Sequence, residues 1–424
     1  MRSSVWASPY LTVAVLLAIN RKVQACLYHR NKTKRKEIKM EISYDAFISR
    51  LFAKATESGT PLSGTFELTP RCTLDCKMCY IHNKANDHAV IEKEKPTEWW
   101  LDLANKAQKE GMLLLLLTGG ECMLRKDFEE IYLACKKMGL LITINTNATL
   151  IDEEKIKLFK ENPPQRVNIT LYGMSRETYG NLCGVPEAFD RVLWAIKALK
   201  EAGINLKINY TVTPYNKDDV FGASDLAAEL GVPIQTVTYL FPPLRSREYN
   251  VRNRLACTTE KCTGCGEHSK LLATGEATRL SPEDAAKTVF NLQKHRLGDD
   301  FDKFLEYKDK QKPTTDYFDD CEKEGERISC RAGSTTFWVT WDGKMTPCGM
   351  MVEPVAEIGE DFQKAWNKIR KGREEIILPP QCTNCEYKAN CDVCAAVTYA
   401  ETGKFNGLPT YVCEKAKAYT KLVK

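Results

Sequence analysis

From Gly64 to about Tyr239, short β-rich runs alternate with longer stretches of helical periodicity, the succession expected of βα units. Thr65–Leu68, Leu113–Thr118, Leu141–Asn145, Val167–Leu171, Leu206–Val212 and Ile234–Tyr239 read as strands. The segments between them, such as Thr97–Gly111 and Phe189–Gly203, read as crossover helices. Six parallel strands with right-handed crossovers curl into a partial (β/α)6 barrel of the TIM kind, so the expected fold class is α/β. Its chemistry belongs at the C-terminal ends of the strands.

Beyond Phe241 the pattern turns polar and largely helical, and from Cys321 onward cysteines dominate the punctuation. The expected organisation is an N-terminal segment at 40–63, a barrel at 64–240, a mostly helical linker at 241–320 and a small cysteine-rich module at 321–424. Within that module Thr336–Gly343 alternates and ends in Asp342-Gly343, a hairpin signal.

The N-terminus holds an apolar run, Leu11–Ile19, followed by a basic segment, Arg30–Lys39. Nine residues fall short of the ~20 that a spanning helix needs, and no A-x-A cleavage site follows. Lys34–Lys39 before Met40 is what a purine-rich ribosome-binding site would encode if read in frame. Residues 1–39 are therefore expected to be an extension ahead of a start at Met40, with a membrane-anchoring tail as the competing reading. No membrane partner and a cytoplasmic location are expected.

With 424 residues, 43% hydrophobic and 28% charged, the chain can bury a sizeable core, which excludes wholesale disorder and collagen-like structure. The length suits two or three domains. Sixty-one basic against 56 acidic residues leave +5, too mild an excess to suggest a nucleic-acid partner. Of the 18 cysteines, ten follow Cys257, and most of these sit in CxxC-like pairs that suit metal better than long-range disulfides.

Three cysteines, Cys72, Cys76 and Cys79, share an eight-residue loop directly after the first strand. A closed zinc or iron-sulfur site takes four ligands, so three thiolates on a cubane leave one iron open to a reactant. This CxxxCxxC loop, with Thr118-Gly119-Gly120-Glu121 after the second strand, resembles the radical SAM superfamily over about residues 64–240. The resemblance implies that S-adenosylmethionine (AdoMet) chelates the open iron. It also implies that reduction by a low-potential donor such as flavodoxin or ferredoxin cleaves AdoMet to a 5′-deoxyadenosyl radical. Gly119 and Gly120 would let backbone approach the ligand, while Glu121 or its neighbouring carbonyls would accept from the amine. By the same resemblance Asn145, Asn147 and Thr170 are candidates for the adenosyl-ligand shell, with turn and strand-end roles as the alternative. Two departures are Met78, where an aromatic is usual, and Cys122, where proline is commoner after GGE.

In the C-terminal module Cys330 is followed after twelve residues by Gly343 and after four more by Cys348. Then come Cys382-x2-Cys385-x5-Cys391-x2-Cys394 and, eighteen residues on, Cys413. This resembles the SPASM extension of radical SAM enzymes, although three residues rather than two usually precede the last cysteine of the run. The resemblance implies two auxiliary 4Fe-4S clusters, one on Cys382, Cys385, Cys391 and Cys413, the other on Cys330, Cys348 and Cys394 with Cys321. Zinc is the alternative occupant. Cys257, Cys262 and Cys265 fit neither set, Cys26, Cys135 and Cys183 are expected to be structural, and the five histidines show no ligand spacing.

Enzymes with such an extension mostly oxidise or crosslink a peptide or protein, so peptide modification is the expected function. Sulfatase maturation is the alternative, but its enzymes place Asp where this chain has Gly349. A non-catalytic iron-sulfur or zinc protein would not need Gly119–Glu121 beside the open cluster. No general base is identifiable.

Overall fold

A strand buries one side when its alternate positions are apolar, and each central strand offers such a side. The computed structural model describes residues 44–81, 83–242, 278–310 and 327–424. The Met40 start, Cys26, Cys257, Cys262, Cys265 and Cys321 lie outside the described residues. The chain divides into units 1–53 and 54–424. In the first, only the beginning of helix α1 (Tyr44–Ser58) is described.

In the second unit, β1 (Ser63–Glu67), β2 (Leu114–Thr118), β3 (Leu141–Thr146), β4 (Arg166–Thr170), β5 (Leu206–Thr211) and β6 (Ile234–Val237) each pair in parallel with the next. Every strand joins on the same side of its predecessor. Right-handed crossovers therefore put α2 (Thr97–Lys109), α3 (Phe128–Lys137), α4 (Glu153–Glu161), α5 (Arg176–Cys183), α6 (Ala188–Glu201) and α7 (Val220–Glu229) on one face. Phe66, Leu117, Ile144, Ile169 and Tyr210 are fully buried on that side. Helix α2 meets them with Trp100, Leu103, Ala104 and Ala107, a stripe at helical spacing. Trp100 stacks at a tilt on Phe66, 5.3 Å between ring centroids, and Trp99 meets it edge-on. With a period of two, Thr65, Asn145, Asn168, Lys207 and Asn209 fall on the opposite, helix-free face. That face mixes these polar side chains with Leu114, Leu116 and Trp338.

The six expected strands prove to be part of a nine-stranded sheet. β7 (Thr336–Val339) pairs in parallel with β1, from Ser63 opposite Thr336 to Phe66 opposite Val339. β8 (Lys344–Thr346) and β9 (Ala356–Glu357) follow antiparallel, giving the order β9-β8-β7-β1-β2-β3-β4-β5-β6. The hairpin thus belongs to the barrel sheet and covers what would be an open edge at β1. Its turn is the expected Asp342-Gly343, with Gly343 at φ +90° and its N–H donating to Thr340 O at 2.8 Å. Phe337 packs edge-on against Phe362 and Trp366 of a later helix.

At the other end of the sheet, Tyr239 and Phe241 follow β6 and pack against the cluster of Val397, Tyr411 and Val412, which Cys391 and Cys394 also line. Tyr239 Oη also donates to Glu401 Oε1 at 2.7 Å, and Arg279 pairs with the same oxygen at 2.6 Å. The C-terminal module therefore holds the sheet at β1 through β7 and beyond β6 through Tyr239, bridging the gap in the partial barrel. Among the described residues no helix is long and apolar enough to cross a membrane.

Replacing Trp100 with Ala removes the largest fully buried ring between α2 and β1. The expected loss is about 3–5 kcal/mol, read as a lower urea midpoint for the anaerobically purified protein.

Candidate active site

The cysteine loop leaves β1 at its C-terminal end and is locked to the tail of β2 by backbone alone. Gly120 N–H donates to Thr69 O and Glu121 N–H to Arg71 O, both at 2.8 Å. A Cβ on Gly119 would lie 2.3 Å from Thr69 O, and one on Gly120 2.4 Å from Arg71 O. The paired glycines thus admit the cysteine loop's own backbone, where the sequence suggested room for a ligand. Below the loop, Arg71 grips Glu94 through Nε at 2.7 Å and Nη2 at 3.0 Å. Arg125 joins the same carboxylate at 3.7 Å, pairs with Asp127 at 2.5 Å and donates to Leu68 O at 3.1 Å. Burial opposes ionisation of Asp127, but the Arg125 guanidinium and the Thr97 hydroxyl outweigh it and hold the carboxyl below its usual range. No spacing in the sequence announced this lattice.

Glu121 is fully buried and its carboxylate is occupied within the chain. Oε2 accepts from Thr146 Oγ1 at 2.9 Å and Asn147 N at 2.8 Å, and Oε1 from Met123 N at 3.2 Å. Burial pushes its pKa up, against the pull of these donors. These bonds tie the loops after β2 and β3 together, a positioning role beside the one toward an amine that the sequence suggests. Asn147 passes that anchoring on: Nδ2 donates to Cys72 Sγ at 3.3 Å and to Thr73 Oγ1 at 3.1 Å. Its Oδ1 accepts from Thr149 N at 2.9 Å. The next residue, Ala148, is a non-glycine at positive φ, +62°, held there by a bond from its N–H to Thr146 Oγ1 at 2.9 Å. Asn145 lies on the helix-free face and accepts from Asn168 Nδ2 at 2.7 Å, and Thr170 is half-buried on the same face, opposite Asn209.

Cys72 and Cys79 are half-buried and Cys76 is buried. Burial first, then the charges of Glu121, Cys76 and Cys79, pushes the Cys72 thiol up to about 12. Cys76 is raised chiefly by a contact with the Cys183 thiol and then by burial. The loop rests on the end of α5, where Asp75 N–H and Lys77 N–H donate to Cys183 O and Leu182 O at 3.0 Å. Cys183, expected to be structural, is thus a neighbour of the triad. Crowded thiolates need compensating positive charge, and this donor set suits an iron-sulfur cluster, whose irons each take one thiolate.

Among the described C-terminal cysteines, charge effects link Cys391 with Cys413 and Cys382, Cys413 with Cys385, and Cys394 with Cys330. Burial and then the charges of Cys413, Asp392 and Cys382 push Cys391 up to about 11. Cys413 is raised by burial and by Cys385. Cys394 is raised by burial and, less, by Cys330, while Cys348 packs with Cys394 in a separate apolar cluster. Among the described residues no three His, Cys, Asp or Glu side chains converge on one ion position. A cubane instead spreads its ligands over four irons.

Residues 66–243 match the family model for the Radical SAM superfamily. The AdoMet-dependent heme synthase of Methanosarcina barkeri (strain Fusaro / DSM 804) is 28% identical over 365 residues, 80% of this chain and 93% of that protein. The crystal structure of Streptococcus suis SuiB bound to precursor peptide SuiA is similar in fold, with TM-score 0.59 and 16% identity over 95% of this chain and 88% of SuiB. Native anSMEcpe with bound AdoMet gives TM-score 0.60 and 19% identity over 85% of this chain and 96% of that one.

Gly120→Ala forces a methyl against the Arg71 carbonyl and shifts the cysteine loop. Anaerobically reconstituted variant is expected to lose about four irons relative to wild type, measured by iron assay. Glu121→Ala orphans the Thr146 hydroxyl and the Asn147 amide, each costing about 1–3 kcal/mol, and lowers the melting temperature. An Asn147 side chain freed in this way also loosens Cys72.

Proposed function

We propose that this radical SAM superfamily enzyme, whose C-terminal part is a SPASM-type extension, oxidises or crosslinks a peptide or protein. The carrying observation is that the extension bridges the barrel gap from β1 to the segment after β6, so the helix-free face lies between the triad loop and the C-terminal cysteines. The cofactors are AdoMet and 4Fe-4S clusters. Cys72, Cys76 and Cys79 hold the cluster at the barrel, Cys382, Cys385, Cys391 and Cys413 hold a second, and Cys330, Cys348 and Cys394 with Cys321 hold a third. When bound, these groups supply a 5′-deoxyadenosyl radical and a sink for the substrate's second electron.

The chain itself supplies position. Asn147 orients Cys72, and Glu121 or a backbone carbonyl beside it would accept from the AdoMet amine. Asn145 and Thr170 face the space where an adenosyl group and a substrate carbon would meet. A carbon-centred radical there would need protection from water. Electrons for the first reduction come from a low-potential carrier such as a flavodoxin or ferredoxin.

Sulfatase maturation is disfavoured by packing. A Cβ at Gly349 would lie 2.8 Å from the Trp338 ring, so no Asp fits there without moving a tryptophan whose Nε1 donates to Glu67 Oε2 at 3.1 Å. A second reading, a heme-synthase-like oxidation of a small molecule, has in its favour that the similarity to the Methanosarcina protein spans 93% of that chain.

Reconstituted protein is expected to hold about twelve irons and, with dithionite, to convert AdoMet to 5′-deoxyadenosine. Removing Cys72, Cys76 and Cys79 together should cost about four irons and all cleavage. Removing Cys382 and Cys385 should leave cleavage but no product. Zinc in the C-terminal sites of anaerobic protein would refute the three-cluster assignment. A modified small molecule with no peptide product would favour the second reading.

A further inference from the structure

Four cations are buried among the described residues: Arg71, Arg125, Lys207 and Lys415. Arg71 pairs with Glu94, Arg125 with Asp127 and Lys415 with Asp392. Lys207 stands apart. Only 8% exposed, it donates to the neutral amide oxygen of Gln235 at 2.6 Å, and among the described residues no carboxylate pairs with it.

Its surroundings increase that imbalance. Lys207 in β5 lies opposite Asn168 in β4 on the helix-free face, as its neighbours Leu206 and Ile208 are buried on the helix side. Two positions before Asn168 on the same face, the half-buried Arg166 donates from Nε to Asn168 Oδ1 at 2.9 Å, again a neutral acceptor. Burial first and then the Arg166 charge push the Lys207 ammonium down to about 8, so it is still mostly charged at neutral pH. The buried carboxylate of this face, Glu67, sits on β1 against Trp338, with three strands between β1 and β5 in the sheet. Among the described residues this ammonium beside a guanidinium has no counter-ion, a costly arrangement in a place that a Met or Leu would fill more cheaply.

We propose that Lys207 and Arg166 form a receptor for a carboxylate of the substrate on the helix-free face of the barrel. An ammonium with spare donors and a forked guanidinium offer charge-assisted hydrogen bonds to one carboxylate, which supplies the missing counter-charge. The neighbouring amides of Asn168 and Gln235 hold the two cations in place for it. An acidic side chain or chain terminus of a peptide carries such a group, and so does the methionyl part of AdoMet. The site is assigned to the substrate because it lies below the strand ends from which the triad loop springs. The inference rests on the preceding reading only in taking this face as the substrate space.

The test is binding of succinate to the anaerobic holoprotein, followed by calorimetry and thermal shift at constant ionic strength, with succinamide and chloride as controls. Wild type should bind succinate saturably and succinamide not at all. Lys207→Met should bind it about ten- to a hundredfold more weakly, and Lys207→Arg should retain it. Without ligand, Lys207→Met should melt no lower than wild type, since it removes a buried charge, whereas a merely structural lysine would give a lower melting point. Equal succinate binding in wild type and Lys207→Met, or none in wild type, overturns the proposal. A Lys207→Met variant that loses AdoMet affinity, in a protein that ignores succinate, assigns the receptor to the cofactor and overturns it too. AdoMet cleavage by wild type is measured in parallel, so a failed receptor and a failed radical SAM reading give different results.

Discussion

A carboxylate with no water around it must be met by donors from the chain, and Glu121 draws those donors from loops that would otherwise be independent. Its backbone N–H holds the loop after β1, it sits three residues past β2, and its oxygens gather Thr146 and Asn147 at the end of β3. Three strand ends thus converge on one buried group. Asn147, once fixed, reaches Cys72, and Ala148 is kept in a backbone conformation that a non-glycine residue adopts only when its surroundings insist. The Arg71–Glu94–Arg125–Asp127 lattice performs the same service from below. The cysteines depend on both. A triad loop of eight residues has little internal structure, and its geometry is borrowed from buried charges around it.

What was legible in the sequence was local. Alternating apolar runs marked six parallel strands to within about two residues, and Asp342-Gly343 marked the hairpin turn. What was not legible is long-range. The pairing of β7 with β1 leaves no trace in either segment, because a parallel partner sets no spacing rule. Cys183 reaches Cys76 only through the fold, and the inward turn of Glu121 depends on donors on another strand. Close approach at Gly119 and Gly120 was legible, but that the cysteine loop's backbone lies against them was not. Lys207 carried no motif at all, since a lysine within a strand is informative only once its burial is known.

The bridge from β7 to Tyr239 relates the two cysteine-rich regions more closely than a division into domains suggests. One sheet carries the triad at β1, and the module that holds the later cysteines grips that sheet at both of its sides. Tyr239, Glu401 and Arg279 form the second grip, with the Arg279 guanidinium 4.0 Å over the Tyr411 ring. The helix-free face is thus flanked by parts of the chain far apart in sequence.

The pairing of Ser63 with Thr336 also sets an order of events during synthesis. Until Val339 has left the ribosome, β1 is an unprotected edge with open N–H and C=O groups. The barrel half is made first and must wait for its last neighbour, so the nascent chain passes through a stage that invites pairing with other chains. Metal loading faces the same delay, because the strand that delivers the triad gains its second neighbour only when most of the polypeptide exists. Folding and cofactor assembly are thereby pushed toward the end of translation, and a chain broken off before β7 leaves a sticky, half-built barrel.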